Sequence, residues 1–235
     1  MKPRASVIVD GLRDTGFNVR AFTPASCSDG LTDARDDDVA GRESSDLLRH
    51  CPDCGARSFV WYTSKGGSVA RQVCETCGYV GYTNPNIVVR CLCEWHGRLL
   101  LCRRADEPRR GLWSIPGGFL ETGEALHEAA IREVQEEANA ALHSVKLFRM
   151  YEMPQMSQVI VTFRAQLAND RIAPGDEALD VALFAPDAIP WHDLAFPTDR
   201  EAILAFLAAV PREDFHVKLA QLIWSGDGRI FVSER

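Results

Sequence analysis

The sequence predicts an α/β protein, an α/β/α sandwich with a mixed sheet, preceded by a small cysteine-rich ribbon. Three observations carry this reading. Strand-like alternation, as in Ile87, Val89, Cys91 and Cys93 against Val88, Arg90 and Leu92, recurs along the second half of the chain. A helix-period stretch reaching about Ala138 and an apolar helix around residues 202–207 are interspersed with those strands rather than segregated from them. Ahead of both stand two Cys-x-x-Cys pairs.

The 235 residues suffice for one good core and a smaller module. They divide into an N-terminal extension (1–48), the ribbon (49–83) and a main domain (84–235). Acidic residues outnumber basic ones by 33 to 26, a net charge of −7, which disfavours an extended nucleic-acid footprint. A small anionic ligand would need local positive charge or a metal. No apolar run approaches the ~20 residues of a membrane span, and the first residues lack the apolar core of a secretory signal. Asp10, Asp14 and the run Asp36-Asp37-Asp38 argue against an acid-poor transit peptide. The expectation is a cytoplasmic chain with no membrane partner. Residues 1–48 offer brief alternations, Val7 with Val9 and Phe17 with Val19, then a polar, acidic stretch from Ser26 to Asp46. So few large apolar side chains cannot offset ordering entropy, so the extension is expected to be flexible.

In the ribbon, Cys51 and Cys54 are separated from Cys74 and Cys77 by 19 residues. Two such pairs match a tetrahedral thiolate site, with Gly55 and Gly78 supplying the turn after each pair. A strand over 58–63, a turn over 64–67 and a returning strand over 69–73 complete a zinc-ribbon pattern. Disulfides are disfavoured in a reducing compartment. Four thiolates fill the coordination sphere of Zn²⁺, leaving no open position for water, so this metal is expected to be structural.

The main domain begins after Tyr82-Thr83-Asn84-Pro85. Its first strand, around residues 87–93, turns at His96-Gly97 into a second over 99–103, and Cys91, Cys93 and Cys102 read as core packing. Arg103, Arg104, Arg109 and Arg110 follow. One or two of them are expected to supply counter-charge to a bound diphosphate, with Arg104 the candidate; a solvated basic loop is the alternative. Trp113 is a candidate for stacking on a base or flavin, and core packing is its alternative. Further strands are expected over 144–152, 158–166 and 181–184, and the spacing of Thr198 and Glu201 predicts a capping box ahead of the last helix.

Chemistry concentrates in one stretch. The turn Pro116-Gly117-Gly118 leads to Thr122, the expected N-cap of a helix reaching about Ala138. At about 100° per residue, Glu133, Glu136 and Glu137 fall within roughly a third of the circumference, beside an apolar arc of Ala130, Ile131, Val134 and Ala138. Like charges at i and i+4 cost an isolated helix about 0.2–0.5 kcal/mol, so a cation is expected there. Oxygen ligands suit Mg²⁺ or Mn²⁺, which commonly share their shell with water and phosphates. The alternative is a solvated acidic face with Arg132 bridging Glu128 and Glu136.

The full pattern runs Gly118, five residues, Glu124, seven residues, then Arg132-Glu133-Val134-Gln135-Glu136-Glu137-Ala138-Asn139-Ala140. Six fixed identities at this spacing coincide by chance about once in 10⁷ positions. It resembles the Nudix box, the signature of hydrolases that cleave a nucleoside diphosphate linked to another moiety. Asn139 stands where that box has glycine, and Asn is the next best residue at positive φ. Together with the ribbon, Asn84-Pro85, Trp113, and Ile189-Pro190-Trp191 leading to Leu194-Ala195-Phe196, the chain is similar to zinc-ribbon Nudix hydrolases.

The resemblance implies Glu133, Glu136 and Glu137 as metal ligands with the backbone carbonyl of Gly118, an Arg132–Glu124 ion pair orienting the helix, and a further acid outside the box, Glu177 or Asp180. It also implies a homodimer and a dinucleotide or nucleotide-sugar substrate. The NADH pyrophosphatase subgroup carries a Ser-Gln-Pro-Trp-Pro-Phe-Pro signature, where this chain has Glu152-Met-Pro-Gln-Met-Ser-Gln158. Ile172-Ala173-Pro174-Gly175, Glu177, Leu183-Phe184 and Phe196 look closer to the FAD pyrophosphatase-like group. FAD or ADP-ribose is therefore the expected substrate and AMP a product. NADH hydrolysis, removal of a nucleotide cap from RNA, and a non-catalytic ligand sensor are the alternatives.

Overall fold

A computed structural model of the chain describes residues 48–63, 69–224 and 230–234. The expected extension, apart from Leu48, and the expected turn over 64–67 lie outside the described residues. The chain divides into two units, with the boundary between Thr83 and Asn84.

In the first unit, β1 (Phe59–Thr63) and β2 (Ala70–Cys74) pair antiparallel, from Phe59 opposite Cys74 to Thr63 opposite Ala70. Each cysteine pair sits on the same backbone device. The Gly55 N–H donates to the Cys51 carbonyl at 2.8 Å and the Gly78 N–H to the Cys74 carbonyl at 2.9 Å, with both glycines at positive φ. Every residue of β1 is only half-buried. Among the described residues of this unit, apolar burial alone is thus a weak source of stability.

The second unit is built on one mixed sheet. Its strands are β3 (Asn86–Trp95), β4 (Arg98–Arg104), β5 (Trp113–Ser114), β6 (Gly117–Phe119), β7 (Leu142–Met153), β8 (Gln158–Leu167), β9 (Ala178–Phe184), β10 (Lys218–Trp224) and β11 (Ile230–Glu234). The order is β11-β10-β7-β8-β3-β4-β5, with β6 against β3 and β9 against β4. β3 runs parallel to β8 and β10 parallel to β7, while β7–β8 and β4–β9 are antiparallel.

Alternation along β3 sorts the core into two layers. Val89, Cys91 and Cys93 face helix α1 (Leu126–Ala138), packing with Ala129, Ala130, Val134 and Ala138. Val88 and Leu92 belong to the layer of helix α2 (Pro197–Ala209), with Leu99, Leu101, Ile203 and Phe206. A sheet with one helix on each face is the predicted sandwich, and the three cysteines are buried in its core.

Two helix starts differ from the sequence expectation. α1 is capped by Ala125 rather than Thr122. Gly123, at φ 86°, takes the turn that would have continued the helix backwards, and the Glu128 carboxylate accepts the Ala125 N–H at 3.0 Å. α2 is capped by Phe196 rather than Thr198, because Pro197 has no N–H to satisfy and starts the first turn. Glu201, freed from a capping box, reaches Arg149 at 3.9 Å.

The far end of α1 is closed by a loop. Asn139 adopts φ 48°, and its side-chain amide donates to the carbonyls of Ala173 and Pro174. The N–H groups of Ala173 and Gly175 in turn donate to the carbonyls of Ala138 and Glu137. Gly175 lies so close that a Cβ would run into the Glu136 carbonyl oxygen. Gly175→Ala is expected to cost about 1–3 kcal/mol and lower the melting temperature by several degrees. An unchanged melting temperature would show that the loop does not clasp the helix as described.

Candidate active site

β6 brings a glycine pair against the acidic face of α1. Gly117 and Gly118 lie opposite Arg90 and Val89 of β3. A Cβ on Gly117 would strike the Val89 carbonyl oxygen, and one on Gly118 would fall 2.5 Å from Glu133 Oε1. Only glycine admits strand and carboxylate to the same space.

Arg132 organises the rest. Its guanidinium grips Glu124 with two bonds, Nε to Oε1 at 2.7 Å and Nη2 to Oε2 at 2.9 Å. Nη1 donates to Glu133 Oε1 at 2.7 Å and Glu136 Oε2 at 2.9 Å, and Nη2 also reaches the Phe119 carbonyl. The forked donor geometry makes this one arginine a clamp between helix, turn and strand. Its hydrogen bonds hold Glu124 below the usual carboxylate range. Glu128 has no part in the clamp.

Glu133 and Glu137 are 6% and 7% exposed, an unusual depth for carboxylates, and of the two Glu133 alone has an ion pair, with Arg132, among the described residues. Glu137 turns inward, where Oε1 accepts the Gly117 N–H at 3.2 Å. Burial pushes its pKa up to about 7, against the lowering effect of the Gly117 N–H and the nearby Arg90 charge. Burial also raises Glu133, with the charges of Glu136 and Glu177 adding to the shift and Arg132 opposing it. Glu177 is exposed, just ahead of β9.

The three helix acids are therefore neighbours whose oxygens do not all converge, since Arg132 lies between Glu133 and Glu136 while Glu137 faces the core. Among the described residues, the side-chain group whose ligand atoms do converge is Cys51, Cys54, Cys74 and Cys77, all within 4.8 Å of one another. The acids still fit a hard divalent cation by chemistry. Two desolvated carboxylates with raised pKa values, next to a third and to Glu177, form a pocket of negative charge that Arg132 only partly offsets.

The other sequence candidates lie off the acid helix, Trp113 on β5 and Arg104 on β4 opposite Ala178, next to Glu177. Arg104 donates Nε to the Pro108 carbonyl at 3.1 Å and stacks on Phe196 at 5.2 Å. Trp113 meets Phe184 edge-on at 5.0 Å and packs against the core layer of α2. No hydrogen bond or ion pair joins either to the acids among the described residues. Asp180 accepts the N–H of Val181.

Sequence reasoning passed over Arg90 and Asp199. Arg90, buried in β3, donates to the Ile115 carbonyl at 3.0 Å and pairs with Asp199 of α2 at 3.2 Å, while its guanidinium lies over Phe196. Burial raises fully enclosed Asp199 to about 6 despite that partner. The available signal was an arginine inside the otherwise apolar run from Ile87 to Cys93.

A family model described as NUDIX domain matches residues 83–206. A NUDIX hydrolase structure from Nitrosomonas europaea superposes with a TM-score of 0.67 at 35% identity, covering 74% of this chain and 99% of that one. An ADP-ribose pyrophosphatase of Methanocaldococcus jannaschii is 29% identical over 127 residues, 52% of this chain and 73% of the relative. The NAD-capped RNA hydrolase NudC of Vibrio vulnificus is 27% identical over 146 residues, 61% of this chain; the chain spans about half of that relative, 53%. The chain belongs to the Nudix family, and its class is that of a Nudix pyrophosphohydrolase.

Proposed function

We propose that the chain uses Mg²⁺ or Mn²⁺ to hydrolyse the pyrophosphate bond of ADP-ribose or FAD, releasing AMP. The observation that carries this reading is the buried pair Glu133 and Glu137, set against a glycine turn with too little positive charge beside it. Glu133, Glu136, Glu137 and the Gly118 carbonyl would hold the cation, which when bound neutralises the diphosphate and acidifies water. The residues of the chain do the positioning. Arg132 and Glu124 fix the helix against the turn, the Gly117 N–H aims Glu137, and a glutamate of this group accepts the proton of the attacking water. The new bond joins the water oxygen to phosphorus, and the bridging P–O bond breaks. ADP-ribose yields AMP and ribose 5-phosphate; FAD yields AMP and FMN. The similarity to the Methanocaldococcus enzyme supports ADP-ribose, and the run 172–175 with Phe196 supports FAD by resemblance. Arg104 is a candidate for diphosphate counter-charge. The cysteine cluster is read as a structural Zn²⁺ site.

A second reading, hydrolysis of NAD-capped RNA, is favoured by the similarity to NudC. Against it stands the segment after β7, where Pro154–Met156 form a 3₁₀ turn and Ser157 adopts φ 48° in place of the signature noted above. The deciding experiment incubates the protein and Mn²⁺ with ADP-ribose, FAD, NADH and NAD-capped RNA and separates the products. AMP from ADP-ribose or FAD at the highest kcat/KM is expected. Preference for capped RNA would replace this reading with the second.

A pH dependence follows from the raised carboxylates. A carboxylate with a raised pKa stabilises the metal-free fold below its ordinary value, and that contribution is lost as pH climbs through the folded value, here about 7 for Glu137. A cation reverses the preference by favouring the ionised form. Mn²⁺ is therefore expected to bind more tightly at pH 8 than at pH 6, with proton release, by calorimetry in two buffers of different ionisation enthalpy. Equal affinity at both values would exclude Glu137 as a group that titrates on binding.

A further inference from the structure

The sheet face covered by α2 carries a cavity of about 460 Å³ near the end of that helix. None of the acid-helix residues lines it. Its floor is formed where β3, β7 and β8 run side by side, and its apolar wall includes Phe206 and Phe215. The volume falls in the range of small-molecule sites.

Its charge is arranged for an anion. Lys146 of β7 stands directly opposite Arg164 of β8, so two cations face each other across one antiparallel pair. Like charges at that position are destabilising unless something lies between or above them. The Arg164 guanidinium lies 3.9 Å from the centre of the Phe215 ring, and its Nε is buried with no hydrogen-bond partner. An unmet buried donor is costly, more so on a charged group. Among the described residues neither cation is paired with a carboxylate. Glu94, the one acid lining the cavity among the described residues, instead accepts the N–H of Gly97.

The backbone beside it is irregular as well. β7 shifts register between His143 and Lys146, and Ser144, on the cavity wall, adopts φ 57°. Bulges and left-handed non-glycine residues are departures that recur at ligand sites.

We propose that this cavity is a second ligand site, separate from the acid helix, for a small organic anion: a carboxylate or phosphate head held by Arg164 and Lys146, on a flat apolar body lying against Phe206 and Phe215. Arginine stacked on an aromatic ring keeps its edge donors free for such a head.

The test titrates the full chain with benzoate and with phenyl phosphate, using benzyl alcohol as the neutral control, by calorimetry and ligand-observed NMR. Chelator is present so that no cation on the acid helix can recruit phosphate. At least one anion is expected to bind, at least about ten-fold more tightly than benzyl alcohol, and to lose about ten-fold or more in Arg164→Met. Lys146→Met, an exposed position whose loss does not threaten the fold, is expected to weaken the same anion less. Tighter phenyl phosphate assigns a phosphate head and tighter benzoate a carboxylate head. No binding of either anion, equal binding of benzyl alcohol, or wild-type affinity in both variants would overturn the proposal. So would phenyl phosphate binding that is lost in Glu133→Gln but kept in Arg164→Met.

Discussion

Glu137→Gln is expected to lower kcat by on the order of 10³-fold while the protein stays folded. The loss follows from charge, since a cation's contribution to such a reaction is worth several kcal/mol and this carboxylate is one of the two buried in its proposed seat. Geometry is kept, because the amide oxygen of glutamine can still accept the Gly117 N–H that Oε1 accepts at 3.2 Å. The stability effect has the opposite sign from that of an ordinary active-site truncation. With its pKa pushed up to about 7 by burial, Glu137 at pH 8 ionises at a cost of up to about 3 kcal/mol in the metal-free protein. In chelator at pH 8 the variant should therefore melt at or above the wild-type temperature, and the difference should vanish as the pH drops toward 4.5. Turnover within ten-fold of wild type would sink the site assignment. An unfolded variant would mean that Glu137 holds the fold together instead.

That prediction draws on what the sequence made legible and on what it hid. The spacing from Gly118 to Glu137 placed the acids on one helix, because 3.6-residue periodicity is a local property of the chain. The core strands were read to within a few residues for the same reason: alternation in β3, β4 and β8 is written in consecutive side chains. The short strands β5 and β6 were missed. Two or three residues carry no period, and β6 exists because Gly117 and Gly118 can lie against β3 where no side chain fits. β10 and β11 were also missed, being placed by partners far along the chain. The helix starts failed for a third reason. Thr122 and Thr198 are good caps in isolation, but Gly123 and Pro197 determined where the backbone could begin to coil. Long-range contacts were invisible in principle. Nothing local announces that Asn139 ties α1 to residues 173–175, or that Arg90 finds its carboxylate 109 positions away in Asp199.

The second large effect concerns the cysteine ribbon. Removing metal with a strong chelator is expected to unfold the first unit while leaving the second unit's core amides protected. The four thiols are held in mutual contact, Cys51 Sγ to Cys77 Sγ at 3.5 Å and Cys54 Sγ to Cys74 Sγ at 3.6 Å. Their ionisation is divided between them. Burial works to raise Cys74, but the N–H groups of Cys77 and Thr76 and neighbouring thiols bring it down to about 7. The Tyr79 N–H works to lower Cys77, yet burial and the three other thiols push it up to about 12. Without a cation, four thiolates could not share this space; with one, all four can be deprotonated and the two knuckles are locked together. Among the described residues little else holds them, since β1 is half-buried throughout and β2 buries only Ala70 and Cys74. Metal binding to structural thiolate sites is worth roughly 10–16 kcal/mol in isolated modules, far more than so small an apolar core supplies. Hydrogen exchange of the β1 and β2 amides is the direct measurement. Exchange accelerating in chelator and in Cys74→Ser, with β3 and β8 amides unchanged, is the expected result. Retained protection of β1 and β2 after the metal has been stripped would show that the pairing of Phe59 with Cys74 and its neighbours is self-sufficient.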